Sequence, residues 1–186
     1  MKRILCLLAM VAVAGSLFAA DKPYTCSMKV GNPQTVSKTD DSGNNKNGGN
    51  AQTQTKTTRR KMTWPVTVSF RGKDFPSGVK LNCIYLGTTD GQATILGRQP
   101  TDVTLNEKGD FKVELSSPEA VMTKTKSRGR GRNSNTKSEA KGSRITGCVI
   151  QLLVGDEVVR SYATKPTWAK LARKNPLPED EILKLR

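Results

Sequence analysis

The chain has 186 residues, with 31 lysines and arginines against 16 aspartates and glutamates, no histidine, and a formal net charge of +15. Without histidine the commonest general base and the commonest metal ligand are both missing, which excludes serine–histidine triads and histidine-bound zinc. The cationic balance favours solubility and attraction to polyanions, and it carries no information about fold.

Residues 1–20 open with Lys2 and Arg3, continue as an apolar run over residues 4–13, and close on small residues between Ala14 and Ala20. That order is the pattern of a secretory signal peptide, and the run is shorter than the roughly 20 apolar residues of a spanning helix. Ala14-Gly15-Ser16 fits the small-x-small exit better than Phe18-Ala19-Ala20, and the mature chain is expected to begin near Asp21. Cys6 lacks the preceding small residue that lipoprotein processing requires. The expectation is therefore an exported chain, periplasmic or extracellular, with no lipid anchor and no transmembrane segment. Export removes only Lys2 and Arg3 among the charges, so the mature protein stays strongly cationic and is long enough for one domain.

Past the leader the pattern has a period of two. Tyr24, Cys26, Met28 and Val30 alternate with polar residues; so do Met62, Trp64, Val66, Val68 and Phe70, then Val79, Leu81, Cys83 and Tyr85, then Phe111, Val113 and Leu115. Such alternation puts one face of a strand in a core and the other in water. Pro65 lies on the outward phase, which places its strand at a sheet edge or its nitrogen at an unpaired position. Asp90-Gly91, Lys108-Gly109 and Gly155-Asp156 supply turn chemistry between strand-like runs. Residues 148–154, "CVIQLLV", are apolar on both phases except at Gln151, as in a central strand covered on two sides.

Two stretches, residues 37–60 and 123–143, carry almost no apolar side chains. With nothing to offset the entropy of ordering, both are predicted to be mobile polar loops inserted in one domain. The tail over residues 167–186 reads as two short helical turns: Trp168, Leu171 and Ala172 fall at helical spacing, and "PEDEILKL" starts with proline and three acids. Trp168 and Leu171 either dock back on the body or are offered to a partner.

Seven or eight short antiparallel strands over residues 21–166 predict an all-β fold, an immunoglobulin-like two-layer antiparallel β-sandwich with mobile polar loops and a short helical C-terminal tail. The run "WPVTVSFRG...FPSGVKLNCIYLG...GDFKVELSSPEA...VIQLLVGDEVVRSYAT", across residues 62–166, resembles small exported immunoglobulin-like proteins of unassigned role in Verrucomicrobia-type bacteria. The resemblance implies a fold and a compartment, and no catalytic residues. Neither Trp64 nor Trp168 lies between Cys83 and Cys148, a departure from the antibody arrangement. Cys26, Cys83 and Cys148 all share the inward phase, so each pairing is conceivable; Cys83 with Cys148 is favoured as a bridge between neighbouring strands.

No catalytic residue, metal site or cofactor is expected. Asp40-Asp41, Asp156-Glu157 and Glu179-Asp180-Glu181 sit where acids favour turns and helix starts, and "GRGRN" lacks the context of a phosphate-binding loop. What remains is charge. Lys124, Lys126, Arg128, Arg130, Arg132, Lys137, Lys141 and Arg144 face a single acid, Glu139, and are candidates for contacting lipopolysaccharide, anionic lipid or an acidic glycan. Nucleic acid is disfavoured because no aromatics interleave with the cations. The rival readings are a solvated insertion, and a structural subunit that docks an envelope protein through an edge strand or the Trp168 tail.

Overall fold

Alternating side chains do organise this chain into strands, and more of them than the apolar positions alone indicate. The computed structural model describes residues 23–44, 52–128 and 136–185; the signal peptide expected over residues 1–20, and Arg130 and Arg132, lie outside the described residues. Nine strands follow in order: β1 (Tyr24–Val30), β2 (Gln34–Asn44), β3 (Gln52–Gly72), β4 (Val79–Thr89), β5 (Gln92–Asp102), β6 (Asp110–Ser116), β7 (Ala120–Arg128), β8 (Thr136–Val154) and β9 (Glu157–Ala163). Single 3-10 turns at Pro166–Trp168 and Leu171–Arg173 and the short helix α1 (Glu179–Lys184) close the chain. Every strand pairing is antiparallel.

Two strands are much longer than the rest and organise the others. The second part of β3 runs between β1 and β6, while the second part of β8 runs between β4 and β9, with β5 beyond β4. Trp64, Val66, Val68 and Phe70 of β3 meet Leu81, Cys83 and Tyr85 of β4 and Cys148, Ile150 and Leu152 of β8 in one buried cluster. These are the inward positions the period of two predicts. Burying each such side chain is worth about 1.5–3 kcal/mol, which fixes the register of both long strands at their core ends.

The polar stretches are corrected here. Rather than loops, residues 37–44 and 52–60 lie in β2 and the first part of β3, and residues 123–128 and 136–143 in β7 and the first part of β8. They form a four-stranded arm in the order β2-β3-β7-β8, with Thr39, Thr58, Met122 and Gly142 in one cross-strand row. The arm needs little burial of its own. β3 and β8 enter it already aligned by the core, so each further residue adds ladder hydrogen bonds without a new loop closure. Its many threonines also suit a pleated surface.

Pro65 sits on a strand paired on both sides, so of the two alternatives it is the unpaired nitrogen that holds. β1 ends at the Val30–Val66 pair and β2 starts at the Gln34–Thr63 pair. Between them Gly31 N–H donates to Pro65 O at 2.8 Å, and proline has no N–H to return the bond. Asp90 and Gly91 both take positive φ, 49° and 83°, as a two-residue I′ hairpin requires. That hairpin is tied to β8 by Asp90 Oδ1, which accepts from Gly142 N–H at 2.7 Å. Gly142 has φ of 116°, and a Cβ there would fall 2.1 Å from Val121 O, so only glycine fits where β8 passes from arm to body.

The tail covers the outer face of the β4-β8 sheet, as the doubly apolar β8 predicts. Trp168, Ala172 and Ile182 pack on Ile84, Leu86 and Val149 in a second buried cluster. Gln151, 2% exposed, donates from Nε2 to Ala172 O at 3.0 Å and Lys174 O at 2.8 Å. Arg98 of β5 donates from Nε to Glu179 Oε1 at 3.0 Å, and this hydrogen bonding, with the guanidinium charge behind it, holds the Glu179 carboxyl below the usual range. Gln151→Leu keeps the volume but strands two carbonyls, and is expected to lower unfolding free energy by about 1–3 kcal/mol. Urea titration reads that loss, and hydrogen exchange should quicken first over residues 166–185.

Candidate functional site

Because side chains in a strand alternate between faces, the arm presents two surfaces of different character. On one, Lys56 of β3 stands directly opposite Lys124 of β7, with Asp41 beyond Lys56 on β2 and Ala140 beyond Lys124 on β8. Lys126 lies one step toward the tip, opposite Gln54. A groove of about 550 Å³ runs between Asp41, Gln54, Lys56, Thr58, Lys124 and Lys126. Toward the body a second depression of about 290 Å³ is lined by Arg60, Met122, Lys124, Ser143 and Arg144. Lys124 borders both, so Lys56, Arg60, Lys124, Lys126 and Arg144 form one cationic surface.

Only Asp41 opposes them across these two depressions. Its Oδ1 lies 4.0 Å from Lys56 Nζ with both side chains largely exposed, a contact worth little in water. Like charges directly across an antiparallel pair repel, so the Lys56–Lys124 row is unfavourable until an anion lies over it. On the other face Arg59 and Lys141 lie against acids, while Lys38 stands opposite Arg59. Arg59 is 3.6 Å from Asp40 and 3.2 Å from Glu119, Lys141 is 2.8 Å from Glu139, and the Thr57 and Thr123 hydroxyls meet at 3.4 Å.

The expected cationic residues therefore separate. Lys124, Lys126 and Arg144 come together. Lys141 is removed from the site, since it pairs with Thr123 in register, on the opposite face, and is held by Glu139, which raises its pKa. The backbones of Arg128 and Lys137 continue the ladder toward the tip, where Arg128 opposes Gln52 and Lys137 opposes Ser127. Lys56 and Arg60 were not anticipated. Their signal was the cationic "KTTRR" run at residues 56–60, hidden by the assignment of that stretch to a loop.

Of the two readings of the tail, docking back on the body holds and presentation to a partner is corrected. Trp168 is 3% exposed and donates from Nε1 to Leu185 O at 3.1 Å, and Leu171 packs on the same cluster, so neither is presented to a partner. The Cys83–Cys148 bridge is not formed. The two lie on neighbouring strands as expected, but diagonally: Cys83 opposes Ile150 and Cys148 opposes Tyr85. Diagonal neighbours stand farther apart than directly opposed ones, and here the two thiols meet through a hydrogen bond instead of a sulfur–sulfur bond.

The dithiol is chemically quiet. A hydrogen bond with Cys148, then burial, push the Cys83 thiol far above its usual range, and burial does the same to the Tyr85 phenol, whose hydroxyl donates to Gln99 Oε1. A thiol must ionise and be reached to attack, so Cys83 is not a poised nucleophile, and Cys148 is fully buried. A disulfide reagent at pH 8 should label Cys83 and Cys148 only after unfolding; rapid labelling of the native protein would contradict this core.

Among the described residues no three His, Cys, Asp or Glu side chains group as metal ligands, and no helix is long and apolar enough to cross a membrane. No protein-family model, no curated protein and no solved structure matches this chain.

Proposed function

We propose that this is an exported, non-catalytic binding module: an immunoglobulin-like β-sandwich that holds out a rigid cationic arm to an envelope or extracellular polyanion. The immunoglobulin-like reading is supported by the three strands β1-β3-β6, whose core face meets that of β9-β8-β4-β5. The binding reading rests on one observation, the like-charged Lys56–Lys124 row flanked by Arg60, Lys126 and Arg144 with Asp41 as the sole acid in the groove. Charge is held there on a hydrogen-bonded sheet. Less side-chain and backbone freedom is then lost on binding than with cations on a mobile loop.

The surface suits phosphate, sulfate or carboxylate groups carried on a polymer or a membrane. It lacks aromatic side chains on which bases could stack. The test is binding of the full chain to lipopolysaccharide, anionic phospholipid vesicles and a sulfated glycan, across a salt series, with Lys56, Lys124 and Lys126 replaced together. Unchanged binding by the triple variant would refute the assignment.

A further inference from the structure

The arm has an open side. Among the described residues β2 pairs only with β3, leaving one edge of its 11 residues unpaired. Residues 34–42 are all exposed. The direction of its free hydrogen-bonding groups follows from β3. Met62 turns toward β6 and β7, since its N–H donates to Ser117 Oγ at 3.0 Å and its carbonyl accepts from Ser117 N–H at 2.8 Å. Pro65 turns the other way, to Gly31. Odd residues of β3 therefore bond to β2, and their partners there are the even ones: Val36, Lys38, Asp40 and Ser42. Thr35, Ser37, Thr39, Asp41 and Gly43 point their N–H and C=O groups outward.

We propose that this edge pairs with β2 of a second copy of the chain, antiparallel, about a two-fold axis at Thr39. Thr39 is the centre of the strand, so this register alone pairs all of residues 34–44. It sets Thr39 opposite Thr39, Ser37 opposite Asp41 and Thr35 opposite Gly43, outward groups facing outward groups throughout. Between them Lys38 of each copy falls opposite Asp40 of the other, in the close non-hydrogen-bonded pairs where side chains lie nearest. Shifting the axis to Asp41 would face two carboxylates, and shifting it to Ser37 would leave Lys38 opposite Val36.

The charges within one copy favour the same arrangement. Lys38 stands opposite Arg59, a like-charged row, and has no carboxylate partner among the described residues. Asp40 already leans on Arg59 at 3.6 Å. The partner's Asp40 brings the missing negative charge to Lys38, and charges that deter indiscriminate edge pairing become complementary in this register alone. Because the axis is perpendicular to the sheet, both copies turn their Lys56–Lys124 faces to the same side, with the two bodies at opposite ends. The pairing does not depend on what that face binds.

Sedimentation equilibrium of the full chain, up to about 0.1 mM, tests it. A dimer is expected. Lys38→Asp and Asp40→Lys should each weaken it about tenfold or more, since each places two like-charged pairs across the axis. Mixing the two variants should restore a heterodimer, in which every pair is again opposite in sign. Thr39→Pro removes an outward N–H that β3 does not use, so it should abolish the dimer while leaving the circular dichroism spectrum unchanged. A monomer across the whole range, a dimer indifferent to Thr39→Pro, or single variants that dimerise as well as the parent would overturn the proposal.

Discussion

Trp168→Ala is expected to lower unfolding free energy by about 3–5 kcal/mol, the range for truncating a buried aromatic. Residues 166–185 pair with no strand of the body. Their attachment rests on the Trp168, Ala172 and Ile182 contacts, the two Gln151 bonds, Arg98 with Glu179, and the bond from Asn175 Nδ2 to Asp156 O. Removing the indole empties the centre of that cluster and also loses the Nε1 bond to Leu185 O. If the tail lets go as a unit, Ile84, Leu86 and Val149 become exposed, and the folded protein should bind a hydrophobic dye that the parent does not. The measurement is a urea titration followed by tyrosine fluorescence and by dye binding. An unchanged midpoint with no dye binding would mean that the tail does not depend on Trp168.

The second large effect concerns binding. Five cations neutralised on a nucleic-acid-like linear polyanion give a log–log salt slope near −4 to −5, which weakens binding about 10²–10³-fold between 50 and 200 mM salt. Replacing Lys56, Lys124 and Lys126 by alanine should flatten that slope by about 2–3 units and reduce low-salt affinity at least tenfold. Arg59→Ala and Lys141→Ala together remove two charges from the opposite face and serve as controls, and should leave the slope nearly as it was. A result in which both sets of variants respond alike would mean that net charge, rather than the grooved face, drives binding.

Much of the body was legible in the sequence because burial acts on each side chain separately. Trp64, Val66, Val68 and Phe70 reveal their inward phase without reference to any partner, and so do Leu81, Cys83 and Tyr85. Gly155 and Asp90-Gly91 mark their turns by local backbone preference, since the positive φ they adopt is a property of one or two residues. Gln151 announced its role indirectly: one amide in an otherwise apolar strand had to find acceptors, and Ala172 and Lys174 supply them.

The arm was not legible, because what holds it is pairing rather than burial. Thr57 says nothing by itself of Thr123, nor Lys56 of Lys124; their meeting depends on core residues that align β3 and β8 some way off. The cationic face had the same difficulty. Lys124 and Lys141 are equivalent in a flexible loop, and become different only when the pleat turns one to the face of Lys56 and the other to the opposite face, against Glu139.

By itself, then, the sequence determined the strand phases of the body, the hairpin turns, the double burial of β8 and the absence of histidine chemistry. These follow from side-chain transfer and local backbone preference, which are properties of short stretches. Tertiary structure alone decided which cations share a surface, that Trp168 closes on its own sheet, and that Cys83 and Cys148 meet on a diagonal. Each of those depends on the register between segments distant in the chain, and register is set by the whole core acting at once.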